Sequence, residues 1–417
     1  MTVQRLKNSF RDTVGEGILP YAYDIICWIL IFSVPYSRQV PNAAMILMAL
    51  LFFFRRGAAD VRELFKSPAV FLYAWMAFML GKGLLTGTTA ENKYGVYLIL
   101  LLLPPLLLKL RNKDTSLFAM VFMIIMASVR ALIGVFSYYT AHHQLLPFEG
   151  SEINPILGME RPYLGFFTLV SAIASLKLAF SYRRYKYFFL AFSAYASVFV
   201  SLISARMSVG TIALLISIYL FVYLRMPVKA KIGLYLLAVV SVAAIFATNK
   251  TLSDRFFIGK TVDQSLAKAE LYEPRVIIWD CASEIARLPE FNFWMGINSE
   301  NRLDDLFSEC YKGKISNPDR QAFFLRRNFN SHNQFIGLFL ISGAIGLALL
   351  AGFFVNGLVS YRKNFLKTAL VVSMLLFFGV ENVLRRQMGV YFVAIILAIL
   401  CDPDFQLRRR PKSDQSL

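Results

Sequence analysis

Leu117-Phe118-Ala119-Met120-Val121-Phe122-Met123-Ile124-Ile125-Met126-Ala127-Ser128-Val129 runs without a charge between Asp114 and Arg130. A hydrocarbon layer needs about 20 mostly apolar residues at roughly 1.5 Å of helical rise each, and this run with its flanks meets that length. Comparable runs recur on both sides. About twelve are expected, centred near Trp28, Leu47, Trp75, Leu101, Met123, Leu169, Ala194, Leu215, Leu237, Phe339, Val372 and Ile395. The second and fourth are short or interrupted by proline. The composition agrees: of 417 residues 57% are hydrophobic and 17% charged, with mean hydropathy +0.55 and formal net charge +18. A soluble domain is closer to a quarter charged, and a disordered chain needs low hydrophobicity. A soluble nucleic-acid binder would not carry so many Leu, Phe and Ile. The expected class is all-α and polytopic in a membrane, with no nucleic-acid partner. Four cysteines exclude a disulfide scaffold. No cleavable signal peptide is expected, because the first span follows a polar segment and lacks a clean small-x-small site.

Lysines and arginines set the orientation. With the N-terminus in the cytoplasm, about 23 cations fall in cytoplasmic segments, from Arg5, Lys7 and Arg11 through Arg55, Arg56, Arg62 and Lys109 to Arg408, Arg409, Arg410 and Lys412. The short outer turns hold about seven: Arg38, Lys82, Lys93, Arg161, Arg206, Arg385 and Arg386. Both termini are therefore expected inside. One outer segment is out of scale. Between Lys250 and Ser331 the chain carries about twelve cations and twelve anions, so it is nearly neutral. A loop this long is functional or disordered as a rule. Trp279, Trp294 and a helix-like stretch from Pro274 to Arg287 argue for order, with Arg275, Trp279, Ala282 and Ala286 on one helical face. Glu273 precedes Pro274, which suits a first helical position. The expected organisation is spans one to nine in residues 1–248, a helical outer cap in 249–331, and spans ten to twelve with a basic cytoplasmic tail in 332–417.

The chain has three histidines and no H-E-x-x-H or C-x-x-C spacing. It also lacks a Walker-type loop and a G-x-S-x-G. No metal and no cofactor are expected. What remains is a set of polar groups at outer turns. Arg206, in Ser204-Ala205-Arg206-Met207-Ser208, is a snorkelling side chain or an anion contact. Arg275 packs on Trp279, pairs with Glu273, or binds phosphate. Arg161 follows Glu160, so an ion pair or interfacial anchoring is the better reading. His332 is expected in the first turn of the tenth span, capped by Asn330 or Ser331. There the helix dipole disfavours imidazolium, and a neutral ring could take a proton from a hydroxyl. Arg130, inside the fifth span, pairs with Glu381 or Asp24 or lines a lipid path. His142-His143 reads as an exposed loop pair, and Arg385-Arg386 as a solvated turn. Cys281 and Cys310 are either bridged or free buried thiols.

The order of these pieces resembles the bacterial O-antigen ligase and polymerase superfamily. The resemblance rests on Arg206 in its outer turn, Arg275-x-x-x-Trp279, Leu288-Pro289-Glu290-Phe291-Asn292-Phe293-Trp294-Met295-Gly296, and His332-Asn333-Gln334-Phe335 followed by Gly343 and Gly346. Coverage is best from Arg206 to Gly346. The resemblance implies a metal-independent membrane glycosyltransferase of the helical, GT-C-like kind, acting on the periplasmic face of the bacterial inner membrane. Its donor would be a glycan on undecaprenyl pyrophosphate and its acceptor the lipid A core, with membrane lipids around it. Arg206 and Arg275 would hold the pyrophosphate, and His332 would activate the acceptor hydroxyl. Arg161, Arg130, Asn333 and Glu381 are secondary candidates, Arg161 and Arg130 without a motif match. Pyrophosphate is a good leaving group, and two arginines can neutralise the charge that builds on it. A base on the opposite face implies inversion at the anomeric carbon. The rival within the superfamily is a polymerase that extends another lipid-linked chain. The rival outside it is a secondary transporter, for which the expected similarity of two halves is not visible.

Overall fold

The computed structural model describes residues 19–52, 61–89, 94–147, 150–248 and 274–407. Arg5, Lys7, Arg11, Arg55, Arg56, Lys93, Arg408, Arg409, Arg410, Lys412, Glu273 and the first part of the outer loop lie outside the described residues. The described chain is almost wholly helical. In order it forms α1 (Leu19–Ser33), α2 (Gln39–Phe52), α3 (Val61–Lys66), α4 (Ala69–Thr86), α5 (Tyr94–Leu108) and α6 (Asp114–His142). Then follow α7 (Gly150–Leu157), α8 (Arg161–Ser181), α9 (Lys186–Leu202), α10 (Arg206–Ile218) and α11 (Val228–Thr248). The outer loop contributes α12 (Pro274–Ile285), α13 (Glu300–Lys314) and α14 (Pro318–Arg327). The last three are α15 (Gln334–Tyr361), α16 (Phe365–Phe378) and α17 (Gln387–Cys401). Each of the twelve expected centres falls in a separate helix. Among the described residues six helices are long and apolar enough to cross a membrane: α4, α6, α8, α9 with its preceding turn, α10 with its following turn, and α15. Helices α1, α2, α5, α16 and α17 are shorter and apolar.

Burial follows the pattern of side chains. Helix α17 is hydrophobic all round, and Val390 to Leu400 are buried without a break. A helix of that composition belongs inside a bundle. It packs on α5, while α8 packs on α6, α9 and α16, and α4 packs on α15. Phe166 of α8 stacks on Phe377 of α16 at 4.2 Å between centroids.

The polar ends sort into two sets. At one end, Lys113 pairs with Asp402 at 3.4 Å, Lys367 donates to the Leu400 carbonyl, and Tyr223 donates to that of Arg362. The backbone N–H of Arg111 donates to Asp24 there. At the other end, Arg386 pairs with Glu160 at 2.9 Å, and Gln387 donates to the Arg38 carbonyl. The basic turns expected on one side of a membrane thus gather at one end of the bundle.

Two outer cations sit differently from expectation. Lys82 is 3% exposed and its ammonium donates to the carbonyls of Met295, Ile297 and Ile341 at 2.6, 2.5 and 2.6 Å. Arg385 is not in a solvated turn. It pairs with Glu300 at 3.2 Å and Asp304 at 2.9 Å, with Tyr97 donating to Glu300 at 2.7 Å. Both outcomes have one cause: the outer loop folds down onto the bundle and brings carbonyls and carboxylates that local sequence does not reveal.

That docking is visible at α15. Gly343 has φ 61° and ψ −161°, which breaks the helix. Apolar surroundings demand that freed backbone groups find partners. The segment Asn292–Ile297 supplies them. Ala344 N–H donates to the Phe293 carbonyl at 2.8 Å, and Ile297 N–H donates to that of Leu340 at 2.8 Å. Lys82 takes the Ile341 carbonyl. Gly296, at φ +71°, lets the segment lie against the backbone of Leu340 and Ile341.

Helices α12 to α14 form an ordered layer at the same end. Ser299 and Asn317 cap α13 and α14, each accepting from the N–H three residues on. Cys281 and Cys310 are bridged, which ties α12 to α13. Lys314 adds ion pairs to Asp280 and to Glu284. Arg302 bonds Glu290 and holds that carboxyl below its usual range. Aromatic rings of Phe307, Tyr311, Phe324 and Phe329 fill the layer, and Phe329 lies 5.5 Å from the ring of His332.

Candidate active site

Three segments converge beside His332: α12, the stretch that opens α15, and the turn that follows α16. Residues 330–334 are stitched to residues 379–384. Asn333 Nδ2 donates to the Gly379 carbonyl at 3.0 Å, and Asn382 Nδ2 donates to Ser331 Oγ at 2.8 Å. Leu384 N–H donates to Gln334 Oε1 at 2.7 Å. A Cβ at Gly337 would meet Asn382 and Ser331 at 3.0 Å, so glycine there permits the close approach.

The cap of α15 differs from expectation. Asn333 is the N-cap, accepting from Phe335 N–H at 2.9 Å and Ile336 N–H at 3.2 Å. Asn330 instead accepts from His332 N–H at 3.1 Å, and Ser331 is buried against Asn382. His332 therefore stands just before the helix, at φ 44°, rather than in its first turn. The run Asn330-Ser331-His332-Asn333 offers three capping side chains, and tertiary pairing with residues 379–384 selects the last. The helix dipole then matters less to the imidazole than its direct neighbour does.

That neighbour is Glu381. His332 Nδ1 lies 3.3 Å from Glu381 Oε2, and Arg275 Nη2 lies 3.8 Å from Glu381 Oε1. The carboxylate is 9% exposed and the imidazole 20%. With Nδ1–H donated to the carboxylate, Nε2 presents its lone pair outward. Arg275 also donates to the Val380 carbonyl at 3.1 Å. Trp279, one turn further along α12, donates from Nε1 to the Ser331 carbonyl at 2.9 Å. The expected helix face of Arg275 and Trp279 is thus turned onto the His332 segment. Val276 and Trp279 remain about 40% exposed at its edge.

Arg206 opens α10, which lies antiparallel on α16. Tyr223, just beyond α10, bonds Thr368 near the start of α16. Arg206 therefore falls at the other end of α16, the end that carries Val380 and Glu381. Arg161 begins α8 with its backbone N–H donated to Asn154 Oδ1 at 3.0 Å. Its expected partner Glu160 pairs with Arg386 instead. Arg130 meets neither Glu381 nor Asp24. It is exposed on α6, against Gly158, where a Cβ would fall 2.4 Å from Nε. Arg130 is sixteen residues after Asp114, about 24 Å along the helix. That position is near the far edge of an apolar layer about 30 Å thick, so the charge does not need an interior partner. His142 stacks on Tyr138 at 4.2 Å and is exposed, as expected.

The sequence offered Glu381 as a partner for Arg130 and as a secondary candidate for the site, without a link to His332. Its place between Arg275 and His332 depends on a turn some 50 residues beyond His332, which local pattern does not place. Among the described residues no three His, Cys, Asp or Glu side chains come together as a metal site.

Chemically, the site joins a base with its orienting carboxylate, a guanidinium on the same carboxylate, and a second arginine at the same end. Such a set can accept a proton from a hydroxyl and neutralise a departing anion. Residues 188–351 match the family described as O-antigen ligase. The match spans Arg206, Arg275, His332, Gly343 and Gly346, and it supports membership of the O-antigen ligase and polymerase superfamily. It supports in turn a membrane glycosyltransferase-like activity of the ligase or polymerase kind. No curated protein matches the chain.

Proposed function

We propose that this chain is an O-antigen ligase of the bacterial inner membrane. It moves a glycan from undecaprenyl pyrophosphate to the lipid A core at the periplasmic end of the bundle. The observation that carries the reading is Glu381 placed between His332 and Arg275. The gathering of basic turns at the opposite end supports a cytoplasmic location for that end and for both termini.

In this reading the acceptor hydroxyl oxygen attacks the anomeric carbon while its proton passes to His332 Nε2. The bond from the anomeric carbon to the pyrophosphate oxygen breaks, and undecaprenyl pyrophosphate leaves with the electron pair. Arg275 and Arg206 neutralise the charge that develops on it. Glu381 stabilises the imidazolium and fixes its orientation. Attack opposite the leaving group inverts the anomeric centre.

Arg275→Ala is expected to raise the donor KM at least tenfold, since a charge-assisted hydrogen bond contributes about 1.5–3 kcal/mol. Arg206→Ala is expected to act in the same direction. The check is initial-rate kinetics with purified protein and lipid-linked glycan, with the product linkage read by NMR. An unchanged KM in both variants contradicts the pyrophosphate role, and a retained anomeric configuration contradicts direct displacement.

A further inference from the structure

Among the described residues of the outer segment four large apolar side chains are exposed: Val276, Trp279, Phe293 and Trp294. Phe293 and Trp294 belong to the segment docked on the break of α15, a helix long and apolar enough to cross a membrane, and apolar surface is ordinary there. Val276 and Trp279 are on α12, where the neighbouring exposed side chains Asp280, Ser283 and Glu284 are polar. Trp279 is 41% exposed, yet it is held in place. Its Nε1 donates to the Ser331 carbonyl at 2.9 Å, directly before His332. Arg275, four residues earlier on the same helix face, reaches Glu381 and the Val380 carbonyl. Side chains at that spacing have Cβ atoms about 5–6 Å apart. The indole thus stands one helical turn from the guanidinium, fixed at its nitrogen and open beside the His332 segment.

Aromatic groups left open beside a few fixed polar groups are what a binding site offers a ligand. The ligand's own geometry says which part would meet this ring. In a glycosyl pyrophosphate the first sugar is joined to phosphate through a single oxygen. With a phosphate on Arg275, the sugar ring falls within about one helical turn, roughly 5.4 Å, of it. One face of a pyranose presents C–H bonds of slight positive charge, which suit the negative face of an indole. We propose that Trp279, with Val276 at its edge, is the platform on which the first sugar of the donor stacks. This rests on the reading of Arg275 and His332 given above. Trp279 then binds the glycan and Arg275 its pyrophosphate, so the two contacts can be separated.

The test measures binding to the purified full chain, without acceptor, of two ligands: glycan-linked undecaprenyl pyrophosphate and undecaprenyl pyrophosphate that carries no sugar. The variants are Trp279→Leu, which removes the ring and its N–H bond, Trp279→Phe, which removes the bond but keeps a ring, and Arg275→Ala. Trp279→Leu is expected to weaken the glycan-linked donor about tenfold and to leave the bare lipid unchanged. Trp279→Phe is expected to retain most of the affinity. Equal losses for both ligands overturn the platform and give Trp279 a part in the lipid or pyrophosphate contact. Equal losses of glycan affinity in the two Trp279 variants overturn it in favour of the bond to Ser331. The unmodified chain gives a second readout: the glycan-linked donor, and not the bare lipid, is expected to change the tryptophan emission, and the change is expected to vanish in Trp279→Phe. Identical emission with both ligands overturns the platform. If Arg275→Ala alone weakens both ligands, the platform falls and the reading of the main site stands. If no variant changes either affinity, both fall.

Discussion

Replacing His332 with Asn is expected to lower the rate of glycan transfer by about 10²–10⁴, the range of a lost general base, with donor affinity retained. The variant is chosen for the backbone. His332 has φ 44°, a region that Asn tolerates better than Ala does. The cap of α15 belongs to Asn333 and stays intact. An amide in place of the imidazole can still bond Glu381, but it cannot accept the hydroxyl proton. Glu381→Gln is expected to cost less, because it leaves the base and removes only its charged partner. The double variant should be no slower than the His332 variant alone, since groups that act as a unit are not additive. Initial rates with purified protein check both statements. Additive losses would mean that Glu381 works apart from His332.

Gly343→Ala is expected to abolish accumulation of folded protein. A Cβ there would lie 2.3 Å from both the carbonyl carbon and oxygen of Trp294. These are backbone atoms and cannot turn aside. The conformation, φ 61° with ψ −161°, is essentially confined to glycine. Relief would require the segment Asn292–Ile297 to withdraw from α15, leaving the amide of Ala344 and the carbonyl of Leu340 without partners. Lys82 would lose two of the three carbonyls that it binds, those of Met295 and Ile297. Gly81→Ala is the control: no atom lies within 4 Å of its Cβ, and in mid-helix it is expected to stabilise by about 0.5–1 kcal/mol. Yield and melting temperature in detergent check the pair. A folded Gly343→Ala protein with an unaltered Tm would contradict the account of the broken helix.

The membrane class was legible because it rests on length and hydropathy, which are local. Each expected span centre, from Trp28 to Ile395, needed only its neighbours. Arg275 and Trp279 were also legible as one face of one helix. Three results were not. Asn333 was not distinguished from Asn330 as the cap of α15, because the choice is made by Gly379 and Asn382 from another segment. Glu381 was read as a secondary candidate and as one of two partners open to Arg130, because nothing in its own turn points to His332. Lys82 and Arg385 were read as outer surface charges, because the groups that bury them come from the outer loop. Gly343 and Gly296 were visible as motif residues, but their reason is mutual: each leaves room for the other's segment.

The central claim is most directly tested by incubating the purified protein with undecaprenyl pyrophosphate-linked glycan, in chelator, with and without lipid A core. Glycan attached to the core, in a reaction that requires the core and is lost in His332→Asn, is the predicted result. A ladder of longer lipid-linked glycans without core would identify a polymerase. Transfer undiminished in the His332 variant would contradict the site itself.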